Sequence, residues 1–76
     1  MPLAKLRMLS GSEVCRILVQ HGYEEVRQRG SHIIMQKKTE ASTITIPVPN
    51  HKELRTGTLM SIIRQSRLDR TIFETD

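Results

Sequence analysis

The chain has no tryptophan, one tyrosine, one phenylalanine and one cysteine among its 76 residues. With Tyr23 and Phe73 the only aromatic side chains, both in structural settings, a platform of rings on which single bases stack is excluded as the way a ligand is held. A lone Cys15 excludes a disulfide framework and points to a reducing cytosol. No run approaches the roughly 18 apolar residues of a membrane span. Met1-Pro2-Leu3-Ala4-Lys5-Leu6-Arg7 also lacks the apolar centre of a secretion signal, so no membrane association is expected and the expected location is cytoplasmic. His21, His32 and His51 have neither a partnering Cys nor a ligand at i+4, so no metal is expected. A Gly-x-Ser-x-Gly elbow is missing, Gly57 alone cannot cradle a phosphate, and the adjacent Glu24 and Glu25 point to opposite faces of a strand. No small-molecule cofactor is expected either.

What the chain does have is positive charge: 12 Lys and Arg against 8 Asp and Glu, a net +4 and a pI near 9.8. That balance suits a polyanion such as nucleic acid, or an acidic protein. The length supports one domain over residues 1–76, and a chain this short buries only about 60% of its unfolded surface, so any site is shallow.

Residues 1–9 mix small apolar and basic groups without a period and are expected as an arm laid over the body. Ser10-Gly11-Ser12-Glu13 fits the capping box that opens a helix, Val14, Ile17 and Leu18 form one apolar stripe, and Gly22 supplies a left-handed stop. The first helix is expected over 11–21, with His21 in its last turn against the negative end of the dipole. Cys15 flanks the stripe and reads as packing, since nothing near it in sequence activates a thiol. Strands follow over 23–28 and 31–37. If Arg29-Gly30 form a two-residue turn, Arg27 faces His32 and Val26 faces Ile33. Val26, Ile33 and Met35 then point to the core, while Arg27, His32, Ile34 and Glu25 share the other side. Ile34 fits that side poorly, and a three-residue turn with shifted register is the alternative. Thr43-Ile44-Thr45-Ile46-Pro47-Val48 alternates as a third strand, and Pro47 places it at an edge. Thr56-Gly57-Thr58 is a candidate cap for a second helix over 57–66, with Leu59, Ile62 and Ile63 as its stripe. Asp69 can cap a final short turn that brings Ile72 and Phe73 onto the body. The fold class is α+β: α-β-β-β-α, an antiparallel three-stranded sheet with both helices on one face.

The stretch with chemical potential is Arg27-Gln28-Arg29-Gly30-Ser31-His32, a histidine beside cations where the chain re-enters the sheet. Cleavage of an RNA phosphodiester needs little more: a base takes the 2′-hydroxyl proton, the oxygen attacks phosphorus, and Arg or Lys offsets the growing charge. Imidazole titrates near neutrality and suits the base role. A surface histidine at a strand end is the plain alternative.

The chain resembles the HicA family of bacterial toxins. The resemblance rests on Ser10-Gly11, His21-Gly22-Tyr23, Val26-Arg27-Gln28-Arg29-Gly30-Ser31-His32, Ile46-Pro47-Val48-Pro49 with His51, and Glu53-Leu54-Arg55-Thr56-Gly57-Thr58-Leu59 with Ile62-Ile63-Arg64-Gln65. It implies a fold like that of double-stranded-RNA-binding domains and an endoribonuclease, or messenger-RNA interferase, acting on mRNA. It further implies that His32 is catalytic, supported by Gly30, Ser31 and Arg27, and that a HicB-type antitoxin protein is the partner. An acidic inhibitor over the basic face would be electrostatically apt. Arg29, Lys37, Lys38, His51, Lys52 and Arg55 are the candidate RNA contacts, with His51 alternatively a second acid. Little base selectivity is expected beyond the need for a 2′-hydroxyl. Lys37-Lys38 replace a His-Pro pair usual in the family, and Arg67 replaces a usual Gly after the second helix. A non-catalytic double-stranded-RNA-binding module and a protein-interaction domain are the alternative functions.

Overall fold

The computed structural model describes residues 5–75, in the order β1 (Lys5–Leu6), α1 (Gly11–Gln20), β2 (Glu24–Arg29), β3 (His32–Lys38), β4 (Thr43–Pro49), α2 (Thr56–Ser66), a 3-10 turn (Arg70–Phe73) and β5 (Glu74–Thr75). The expected α-β-β-β-α order and α+β class are what is found. Strands β2, β3 and β4 form an antiparallel meander, with the Pro47-bearing β4 at an edge as the missing N–H donor requires. Residues 1–4 of the expected arm lie outside the described residues. The remainder does lie along the body: β1 pairs with β5, the Arg7 N–H donates to the Phe73 carbonyl at 2.9 Å, and Leu9 is 1% exposed.

α1 forms where the capping box sits. Ser10 Oγ accepts from the Glu13 N–H at 3.1 Å while Glu13 Oε1 accepts from the Ser10 N–H at 2.9 Å, and these bonds hold the Glu13 carboxyl below its usual range. Val14 and Leu18 bury completely, and Gly22 takes φ +95° to end the helix. The helix stops at Gln20, one residue short of the expected end, so His21 is its C-cap rather than a member of its last turn. The cation at that end comes from the sheet instead. Lys37 Nζ donates to the His21 carbonyl at 3.1 Å and lies 5.7 Å from the centroid of the Tyr23 ring.

α2 presents Leu59, Ile62 and Ile63 to the core, the stripe expected. Its cap differs: Arg55, not a residue of Thr56-Gly57-Thr58, is the N-cap, and its side chain makes no capping hydrogen bond. At the other end the Tyr23 hydroxyl donates to the Ser66 carbonyl at 3.0 Å, tying the entry of β2 to the last turn of α2. Arg67 closes the helix in the left-handed region, φ +60°, where side chains are strained and glycine is not. Arg67→Gly is therefore expected to stabilise the protein by about 0.5–1 kcal/mol, read as a rise of a few degrees in melting temperature. An unchanged or lower melting temperature would contradict the strain.

Ile33, Met35, Ile46 and Val48 from the sheet meet Val14 and Leu18 of α1 and Leu59 and Ile62 of α2 in one core, closed by Leu9 and Phe73. Asp69 caps the 3-10 turn that delivers Phe73, accepting from the Thr71 N–H at 2.9 Å. Cys15 is buried here, and burial, reinforced by the negative charge of Glu25, pushes its thiol up to about 11. It packs, as its position beside the stripe implies. The molecule is only 19 Å deep in its thin direction, which fits one layer of helix on one of sheet. Among the described residues, no layer covers the sheet's other face.

Candidate functional site

That uncovered face is built by a tight hairpin. The turn between β2 and β3 is Gly30-Ser31, with Arg29 and His32 the first paired residues, not Arg29-Gly30 as the sequence suggests. The reason is conformational: a turn with a left-handed residue first, φ +59°, takes Gly30 without strain, whereas Arg29 in that place would be strained. The turn is held from the side, since the Asn50 N–H donates to the Ser31 carbonyl at 2.7 Å. Register follows from it. Arg29 pairs with His32, Gln28 with Ile33 and Arg27 with Ile34, so Arg27 does not face His32 and Val26 does not face Ile33. A β-bulge between Glu25 and Arg27 absorbs Val26, which is 41% exposed and not in the core as expected. Without the bulge, the alternation that puts Arg27 and Arg29 outward would turn Glu24 inward.

Across β3 and β4 the register is continuous: His32 with Pro49, Ile34 with Pro47, Gln36 with Thr45 and Lys38 with Thr43. Because side chains alternate, Ile33, Met35 and Lys37 go to the helix side and His32, Ile34, Gln36 and Lys38 to the open side. Arg27, Arg29, His32, Ile34, Thr45 and Pro47 line one open trough of about 530 Å³. It is shallow, as a chain of this length requires. Arg27, Arg29 and His32 are exposed along it, while Ile34 forms its floor at 9% exposure.

Of the residues singled out from sequence, Arg27, Arg29 and His32 are therefore brought together, and Gly30 and Ser31 shape the turn that holds them. Lys37, expected among the RNA contacts, is on the opposite face and committed to the end of α1. Lys38 shares the open face but stands six residues along β3, about 20 Å from His32. His51, Lys52 and Arg55 are exposed in the loop before α2 and do not line the trough. Sequence reasoning missed Thr45 and Pro47. The alternation of β4 put them on one side, but only the register with β3 says which residues they face.

A profile of the family described as "HicA toxin of bacterial toxin-antitoxin" matches residues 11–68 of the 76. The chain belongs to the HicA toxin family. It is accordingly the toxin of a toxin–antitoxin pair, and an antitoxin is its partner. The match spans α1 through α2 and includes every residue lining the trough. No curated protein and no solved structure matched the chain. Among the described residues, no helix of this HicA toxin is long and apolar enough to cross a membrane.

Proposed function

We propose that this HicA toxin is an endoribonuclease that cleaves mRNA without a metal, with His32 as general base. The observation that carries it is an exposed imidazole at the head of a trough with a guanidinium from Arg29 as its cross-strand neighbour and a second from Arg27 one step on. A phosphodiester over this row presents its 2′-hydroxyl to His32. The imidazole takes that proton, the 2′-oxygen bonds to phosphorus, and the bond from phosphorus to the 5′-oxygen breaks. Arg27 and Arg29 offset the charge that gathers on the non-bridging oxygens. The departing 5′-oxygen needs a proton, from solvent or from His51, whose neighbour Asn50 is bonded to the hairpin turn. Lys38 further along the face, and Lys52 and Arg55 beyond its edge, serve as weaker, salt-sensitive contacts to the rest of the strand.

A HicB-type antitoxin would silence the enzyme by covering the open face, where its acidic groups would meet the two guanidiniums. The chemistry is tested on an RNA oligonucleotide in the presence of chelator. The expected products end in a 2′,3′-cyclic phosphate on one side and a 5′-hydroxyl on the other, and a 2′-deoxy sugar at the cut site should stop cleavage there. Cleavage through the deoxy sugar, or loss of activity in chelator, would sink this mechanism. Binding of duplex RNA with no cleavage would point instead to a non-catalytic RNA-binding module.

A further inference from the structure

Three of the side chains lining the trough have no part in the chemistry above: Ile34, Thr45 and Pro47. Ile34 is nearly buried yet does not belong to the core, because it faces away from both helices. Its cross-strand partners are Arg27 on one side and Pro47 on the other. One step further along the strands, about 7 Å, Gln36 pairs with Thr45. There Gln36 Nε2 donates to Thr45 Oγ1 at 3.2 Å. From the turn outward, then, the face runs from imidazole and guanidinium, to an apolar floor with a guanidinium at its side, to a donor and acceptor pair with the exposed Glu24 carboxylate as the other cross-strand neighbour of Gln36. A groove that held RNA by charge alone would continue basic along this line. Here the sequence of surfaces matches that of a nucleotide laid flat: phosphate and ribose, face of the base, edge of the base.

We propose that Ile34 and Pro47 are the floor of a subsite for one unpaired nucleobase beside the scissile phosphodiester, with Gln36 and Thr45 at its edge. The subsite rests on the assignment of His32 as the base for RNA cleavage. A base can lie on the floor only when a neighbouring base does not already cover that face. The ligand is thus a single-stranded segment. A glutamine amide offers a donor and an acceptor together, and a threonine hydroxyl either, so their present mutual bond exchanges for bonds to the base edge. Aliphatic floors grip less than aromatic ones, which leaves the edge contacts to decide which base is held. Base preference is accordingly stronger than the scarcity of aromatic residues alone suggests.

The test maps cut sites in a single-stranded RNA oligonucleotide randomised around one position, using the wild type, Gln36→Ala, Thr45→Val and His32→Ala, each checked for an unchanged melting curve. The wild type is expected to favour particular bases at a nucleotide next to the cut. Gln36→Ala and Thr45→Val should each reduce that preference, by roughly five- to a hundredfold. Annealing a complementary strand should suppress cutting. His32-dependent cleavage that shows no base preference, keeps it in both variants, or proceeds equally in duplex overturns the subsite alone. No cleavage by the wild type, or undiminished cleavage by His32→Ala, removes the catalytic assignment and the subsite with it.

Discussion

His32→Ala should lower the rate of RNA cleavage by about 10²–10⁴-fold, the range over which a positioned general base accelerates proton transfer. The same substitution should leave the melting temperature where it is. His32 stands on the open face, outside the helix-side core, and the turn that places it depends on Gly30 and on the carbonyl of Ser31, not on the imidazole. Surface changes of this kind cost within about 0.5 kcal/mol. The two measurements together separate loss of chemistry from loss of fold. In cells the expected outcome is growth arrest on expression of the wild type and none with the variant at equal protein level. A variant that melts normally and still arrests growth would place the toxic activity elsewhere on the molecule.

Gly11→Ala is expected to be the most damaging small substitution outside that site. A methyl group at this position would overlap the Pro49 carbonyl oxygen and come within 3.1 Å of the Asn50 Cα, both main-chain atoms that cannot swing aside. Alanine ordinarily favours a helix over glycine by about 0.5–1 kcal/mol. Overpacking a fixed site costs about 1–3 kcal/mol and sometimes more, so the clash wins. Against a total of roughly 4–11 kcal/mol for a chain of this size, the loss is large. It also reaches the site: the displaced segment is the end of β4, where Pro49 pairs with His32 and the Asn50 N–H holds the hairpin turn. Gly11→Ala should therefore lower both the denaturant midpoint and cleavage per folded molecule. A variant as stable as the wild type would mean that β4 yields at no cost.

Much of this architecture was legible along the chain because its signals are local. The box from Ser10 to Glu13, the stripe of Val14, Ile17 and Leu18, the stripe of Leu59, Ile62 and Ile63, and the alternation from Thr43 to Val48 each announce an element within one or two turns of chain. The hairpin at Gly30 was legible too, but its register was not. A shift of one residue in the turn moved Arg27 from opposite His32 to opposite Ile34 without changing its face, and the bulge at Val26 then reversed the residues before it, so that Glu25, expected on the side of His32, lies opposite Met35 and Glu24 opposite Gln36. Lys37 shows the same limit. In sequence it is one of two adjacent lysines; in the fold it and Lys38 lie on opposite faces, one capping α1 and one exposed.

By itself, then, the sequence determined the two helices, the three strands of the main sheet, their order, the family and the residue types that would carry chemistry, since periodicity, caps and motif are properties of neighbours along the chain. The pairing of β1 with β5 joins the two ends of the described chain and was not legible. Only the tertiary structure decided that His32, Arg27 and Arg29 share a trough with Ile34, Thr45 and Pro47, and that Lys37 does not. Pairing register and the choice of which sheet face the helices cover are set by contacts between residues far apart in sequence. A one-residue slip in pairing register sends every side chain of a strand to the other side.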